Sequence, residues 1–385
     1  MNAIRGQNSA SEGNTEPNEW QKPLDYYCRD DTEDVLVISF LYQFGSNPPA
    51  IDLSDSSDAC LGKFPGTELL DCPQMEPAIK ACQSKDKIVL LSLGGATGTY
   101  GLSSESEGHE LADTLWNTFG GGNGDVRPFG NASVDGFDLD IEAGDIAGYT
   151  AFVERMREHY DSDTSKKYYI SSAPQCPYPD HYMSDALNSA WFDFVWVQFY
   201  NNECGVTTDK FNYDRWDEWA RKEAINKDVK LFIGVPAASY AAGRGYVPYQ
   251  DLTEAITQVR SKYDSFGGVM MWDASAAYAN DDVSPSYGQA VAKFLHGNNS
   301  NSTTGGGNST LSFFPSSSLP STDLSPTPSS SPLTNGSATT TTTATESSVS
   351  LPPSAGSTST RYINYVNITN LQQLRLIRCR FFYFS

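Results

Sequence analysis

Apolar runs of strand length recur along the chain at residues 34–44, 87–93, 135–142, 168–173, 194–200, 230–235 and 267–272, and helix-compatible stretches fill the gaps between them. Residues 145–160, 215–226 and 252–263 are examples of such helices, the last following Asp251 as its N-cap. Strands that alternate with helices in sequence order predict βα units and a parallel sheet. Residues 1–5 supply a weaker eighth strand, and eight such units would close into a (β/α)8 TIM barrel of the α/β class ending near Gly297. In such barrels the chemistry sits at the C-terminal ends of the strands and in the loops that follow. Glu142, Tyr200 and Trp272 each close a predicted strand.

The run 135–142 carries more chemistry than any other. It reads Asp135-Gly-Phe-Asp-Leu-Asp-Ile-Glu142. Side chains alternate faces along a strand, so Asp138, Asp140 and Glu142 share one face while Phe137, Leu139 and Ile141 share the other. Lining one wall with three carboxyls is costly, because like charges and burial both oppose ionisation. A solvated edge strand would carry the same alternation. A calcium loop of the EF-hand type needs a Gly and a Glu at set positions that this segment does not supply. No metal and no cofactor is expected.

Composition divides the chain. Residues 298–360 are dominated by Ser, Thr, Pro, Gly and Asn, a mixture that cannot bury enough apolar surface to fold and reads as a disordered stalk. A tail at 361–385 follows. After Gly297 the chain holds only Asp323 and Glu346 against Arg361, Arg375, Arg378 and Arg380, so the net charge of −21 belongs to the 1–297 body. A body that acidic repels phosphate backbones and anionic lipid, which leaves nucleic acid and membrane surfaces as poor partners and a neutral substrate as the better fit.

Cys28, Cys60, Cys72, Cys82, Cys176, Cys204 and Cys379 show no paired metal or redox spacing, and the six in the body can form three bridges. Glycosylation acceptors at Asn131, Asn298, Asn301, Asn308 and Asn335 also point to an extracellular or wall-bound protein. Against that, residues 1–7 lack an apolar core of about 7 to 15 residues of the kind an export signal requires. At the other end Arg375, Arg378 and Arg380 spoil the tail as a membrane span or lipid-anchor signal. Both ends read as imperfect ends of a gene sequence.

Five segments together resemble the family 18 glycoside hydrolases, in particular the plant-type or class III chitinases that fungi also carry. They are Leu91-Ser-Leu-Gly-Gly95, the 135–142 acidic run, Ser172-Ala-Pro-Gln-Cys176, Trp196-Val-Gln-Phe-Tyr-Asn-Asn202 and Gly268-Val-Met-Met-Trp272, in the family's order and spacing. The resemblance implies that Glu142 protonates the glycosidic oxygen, and that Asp140 holds the substrate acetamide N–H and shares a proton or hydrogen bond with Asp138. Tyr200 would donate to the acetamide oxygen, Trp272 would floor the sugar subsite, and Gln198, Gln7 and Gly95 would contact substrate. Asp135 and Gly136 complete the motif. The acetamide itself would be the nucleophile, which is the substrate-assisted exception to two-carboxylate hydrolysis. The same resemblance pairs Cys28 with Cys82, Cys60 with Cys72 and Cys176 with Cys204, and leaves Cys379 unmatched.

The expected activity is therefore endochitinase action on N-acetylglucosamine polymers by a monomer. Its rivals are a chitin-binding lectin or inhibitor on the same barrel, and an endo-β-N-acetylglucosaminidase acting on N-glycan cores. The first strand departs from the family pattern, with Arg5 where an aromatic residue is expected. So short a strand is expected to leave a gap in the barrel wall and unpaired backbone groups on its neighbours.

Overall fold

The computed structural model describes residues 2–5, 8–13, 16–53 and 60–297. Gln7, Cys379, the stalk at 298–360 and the tail at 361–385 lie outside the described residues. Among the described residues eight parallel strands ring the barrel, and Ala50–Ile51 adds a short antiparallel strand beside the second of them; in chain order the eight are β1 Asn2–Arg5, β2 Val35–Gln43, β3 Ile88–Gly94, β4 Gly136–Asp140, β5 Tyr169–Ser172, β6 Phe194–Gln198, β7 Lys230–Pro236 and β8 Phe266–Trp272. Each pairs in parallel with the next. The ring closes through β1, and the chain is a TIM barrel.

The expected gap in the wall is absent. Four residues suffice, because β1 runs in register with β2 from Asn2 opposite Val35 to Arg5 opposite Ile38, and with β8 from Asn2 opposite Met270 to Ile4 opposite Trp272. Both edges of a short strand are then satisfied, which is what closure requires. The loop after β1 is tied down as well: the Ser9 N–H donates to Asp273 Oδ2 at 2.9 Å and the Ala10 N–H to Ser275 Oγ at 3.1 Å.

Strands enclosed in a barrel are buried on both faces and read as continuous apolar runs. Val35, Val37, Leu90, Phe194, Trp196 and Met270 pack in the barrel interior, whereas Leu36, Ile38, Leu91, Leu93, Phe137 and Leu139 belong to the core shared with the helices. Helices Glu105–Phe119 and Tyr149–Ser162 bring Leu115 and Phe152 into that outer core.

Two helix boundaries differ from the sequence reading. Helix Tyr249–Lys262 starts earlier than expected, so Asp251 lies inside its first turn and Pro248 takes the N-cap position. Proline's fixed φ and missing N–H suit a helix start. Helix Tyr213–Lys222 stops short of Asn226, whose side chain donates to Phe192 O at 2.8 Å and accepts the Asp228 N–H at 2.9 Å. Local side-chain bonds of this kind compete with helix continuation. The three disulfides pair Cys28 with Cys82, Cys60 with Cys72 and Cys176 with Cys204, as the resemblance implies.

Candidate active site

Strand β4 supplies the acids, and its two ends differ in what they hold. At its foot, Asp135 is tied to the scaffold: it accepts the Val89 N–H at 2.9 Å, Gln83 Nε2 at 2.9 Å and Lys166 Nζ at 2.7 Å. Gly136 follows with φ +147°, and a Cβ there would lie 1.8 Å from Tyr169 O. Both motif residues therefore serve the fold.

Asp138 is fully buried, and its neighbours explain how. Parallel register sets Ser92 on β3 and Ser171 on β5 directly beside it, and residues in one row of a sheet point the same way. Both hydroxyls donate to its carboxylate at 2.6 Å, and Trp196 Nε1 adds a third bond at 2.8 Å. Burial pushes the Asp138 carboxyl up, and these three donors hold it down in part. Asp138 Oδ1 thus takes Ser171 and Trp196, while Oδ2 takes Ser92 alone.

One turn of the alternation further, Asp140 accepts Gln198 Nε2 at 3.0 Å. Burial, then the charges of Glu142 and Asp138, raise its carboxyl well above the usual range. Gln198 Nε2 also donates to Ala173 O at 2.7 Å, so its amide nitrogen is committed to the barrel wall. Strand pairing ends here, with the Gly95 N–H donating to Asp140 O at 2.8 Å.

Glu142 consequently stands beyond the strand, two residues above its last pair, rather than closing it. Its backbone N–H donates to Tyr100 Oη at 3.0 Å, and Tyr100 donates to Gly95 O at 2.7 Å. Gln175 Nε2 reaches Glu142 Oε2 at 3.4 Å. Burial raises the Glu142 carboxyl, the Gln175 bond lowers it, and the charge of Asp180 raises it again. Asp180 is itself fixed by three backbone N–H groups, from Gln175, Tyr182 and Met183.

Tyr200 and Trp272 pack with the barrel-interior cluster that includes Trp196. Burial and the charges of Asp140 and Glu142 push the Tyr200 hydroxyl up, so it is a donor at any working pH. Trp272 stacks on Phe40 at 5.8 Å between ring centroids and stays half-buried. Gly95 has φ +84°, and a Cβ there would meet the Phe40 ring at 2.8 Å, so its missing side chain serves close packing.

Asp138, Asp140, Glu142, Tyr200, Gln198 and Trp272 thus come together at one end of the barrel, while Asp135 and Gly136 do not join them. Sequence reasoning gave no role to Tyr100, Gln175, Asn202 or the Ser92, Ser171 and Trp196 triad. The serines could have been found from strand register. Tyr100 lies in a loop and carried no signal.

The barrel's fourth strand thus delivers its carboxyls toward the C-terminal mouth, where the sites of this fold lie. The chain matches Glycosyl hydrolases family 18 over residues 31–258, and it belongs to that family. It is 49% identical over 277 residues to Chitinase 2 of Rhizopus oligosporus, covering 71% of this chain and 49% of that one. Among solved structures it resembles the ICChI chitinase of Ipomoea carnea, with TM-score 0.63, 31% identity and coverage of 76% of this chain and 98% of that one. It also resembles the xylanase and alpha-amylase inhibitor protein XAIP-II of Scadoxus multiflorus, with TM-score 0.60, 33% identity and coverage of 72% and 94%. The chain spans roughly half the length of curated relatives such as the Rhizopus oligosporus protein.

Proposed function

We propose that the chain is an endochitinase that hydrolyses internal β-1,4 bonds between N-acetylglucosamine units with retention of configuration. Asp140 is the observation that carries this reading: it lies between Asp138, which takes three donors, and Glu142 at the mouth. Acids so placed do not all ionise, and the outermost keeps its proton above the ordinary carboxylate range. Glu142 gives that proton to the glycosidic oxygen as the bond to the anomeric carbon breaks.

The carbonyl oxygen of the sugar's own acetamide attacks the anomeric carbon from the opposite face and forms an oxazolinium ion. Asp140 accepts the acetamide N–H and offsets the positive charge, and Tyr200 donates to the acetamide oxygen. Water then opens the ring, returning its proton to Glu142. Trp272 offers a flat apolar surface for the sugar, with Gln198 and Gly95 as further substrate contacts, and the family resemblance adds Gln7 to these. Because Glu142 must be protonated, the rate falls as pH rises through its raised pKa.

Three disulfides fit an oxidising compartment. We place the monomeric enzyme outside the cell, and a wall-bound role fails if the protein fractionates wholly into the medium. The central test incubates the chain with N-acetylglucosamine oligomers and follows product anomers by proton NMR. Initial formation of the β-anomer is expected, together with far tighter inhibition by a thiazoline analogue than by the free sugar. Equal potency removes acetamide participation. Release of sugar from a high-mannose glycopeptide alone would make it a glycan-core hydrolase. Binding without turnover would align it with the inhibitor whose fold it shares.

A further inference from the structure

Glu142 has two oxygens, and the proposed donor role works only if the acidic proton sits on the one facing substrate. The structure contains a device that decides this. Oε2 accepts Gln175 Nε2 at 3.4 Å, while Oε1 has no hydrogen-bond partner among the described residues. Hydrogen bonds in unliganded sites are often this long and tighten when substrate binds.

An amide can present either its nitrogen or its oxygen, so something must fix which end of Gln175 faces Glu142. Asn202 does so. Its Nδ2 donates to Gln175 Oε1 at 2.9 Å and to the backbone carbonyl of Tyr200 at 3.2 Å. A backbone carbonyl can only accept, so the nitrogen of Asn202 must face it. The same nitrogen then captures the Gln175 oxygen, and the Gln175 nitrogen is left pointing at Glu142. The polarity of the chain Tyr200 O, Asn202, Gln175, Glu142 is thus anchored in the main chain.

The backbones that carry the two amides are held as firmly. The Gln175 N–H donates to Asp180 Oδ2 at 3.0 Å, and on either side of it the Gln198 N–H donates to Pro174 O at 2.8 Å and the Cys176 N–H to Gln198 O at 3.3 Å. Cys176, next to Gln175, is bonded to Cys204, two residues past Asn202. The disulfide therefore staples together the two loops between which the amides meet.

We propose that Asn202 and Gln175 are positioning residues that fix the proton of Glu142 on Oε1, by keeping an N–H donor on Oε2. The proposal rests on the reading of Glu142 as proton donor. A carboxylic acid accepts best through its carbonyl oxygen, so an amide donor on Oε2 assigns the hydroxyl to Oε1. The same bond favours the ionised form and so sets where Glu142 titrates. The other titratable groups around it are Asp140 on β4, Tyr100 after β3, Asp180 after β5 and Tyr200 after β6, and all four are retained when residues 175 and 202 are replaced.

Gln175→Leu, Asn202→Ala and the double variant test it in the full chain. Loss of the donor in Gln175→Leu is expected to move the basic limb of kcat/KM upward by about half a pH unit or more. Asn202→Ala, which frees Gln175 to turn, should move it the same way by less. Because Asn202 acts through Gln175, the double variant should match Gln175→Leu alone. An unmoved basic limb in Gln175→Leu overturns the proposal, as does an Asn202→Ala shift that persists in full when residue 175 is Leu. Carboxyl carbon NMR, with Glu142→Gln supplying the assignment, follows the titration of Glu142 directly. That titration tests the two amides even in a chain that hydrolyses nothing, an outcome that would sink the endochitinase reading instead.

Discussion

Glu142 is the residue on which turnover should depend without binding depending on it. Glu142→Gln keeps the shape of the side chain and removes the proton, so kcat should fall by about 10² to 10⁴ or more while oligosaccharide affinity changes little. Steady-state kinetics beside equilibrium binding measures both. Parallel loss of the two would make Glu142 a structural residue. Asp138 stands in contrast: Ser92, Ser171 and Trp196 all donate to its oxygens, and its charge adds to the raising of the Asp140 carboxyl. The alternation of Asp138 and Asp140 with Phe137 and Leu139 was readable from sequence because it obeys a period of two. The amides of Gln175 and Asn202 were not, because they meet across loops, and nothing in a one-dimensional pattern records which end of an amide faces its neighbour.

Among elements, the strands were legible and their ends less so. Continuous apolar runs located β2 through β8 to within a few residues, but Glu142 fell outside β4 because pairing stops where Asp140 O accepts the Gly95 N–H. Strand β1 was underrated because its place in the wall comes from backbone pairing with two neighbours. The cross-links between loops carry an element-scale prediction. Chain entropy ranks them by the segment each closes, with separations of 54 for Cys28–Cys82, 28 for Cys176–Cys204 and 12 for Cys60–Cys72. Replacing both cysteines of a pair by Ala should cost from about 4 kcal/mol for the longest down to about 3 kcal/mol for the shortest. Denaturant midpoints of the three double variants measure this, and a reversed order would show that strain or residual structure outweighs loop entropy.

For the molecule as a whole, the balance of buried acids makes stability depend on pH. Glu33 is fully buried, neither carboxyl oxygen has a hydrogen-bond partner among the described residues, and burial pushes it from 4.5 up to about 8. A raised acid stabilises the fold fully below its unfolded value and loses that contribution as pH rises through the folded one, here between about 4.5 and about 8. Glu33→Gln should therefore exceed wild type by about 2 kcal/mol or more at about pH 9, with the gap closing near about pH 4. Melting curves across that span decide it, and a gap independent of pH would mean that Glu33 has a partner in solution. The short acidic run 135–142 begins one residue before β4 and ends two beyond it, and its two ends answer to different demands. Asp135 and Gly136 hold the floor together, so a barrel stripped of its chemistry would still need them, whereas Glu142 at the rim could be exchanged with little harm to the architecture. A search that recognises the run as a whole thus reports ancestry, and on the proposed mechanism it is Asp140 and Glu142 that report whether a given descendant still cuts.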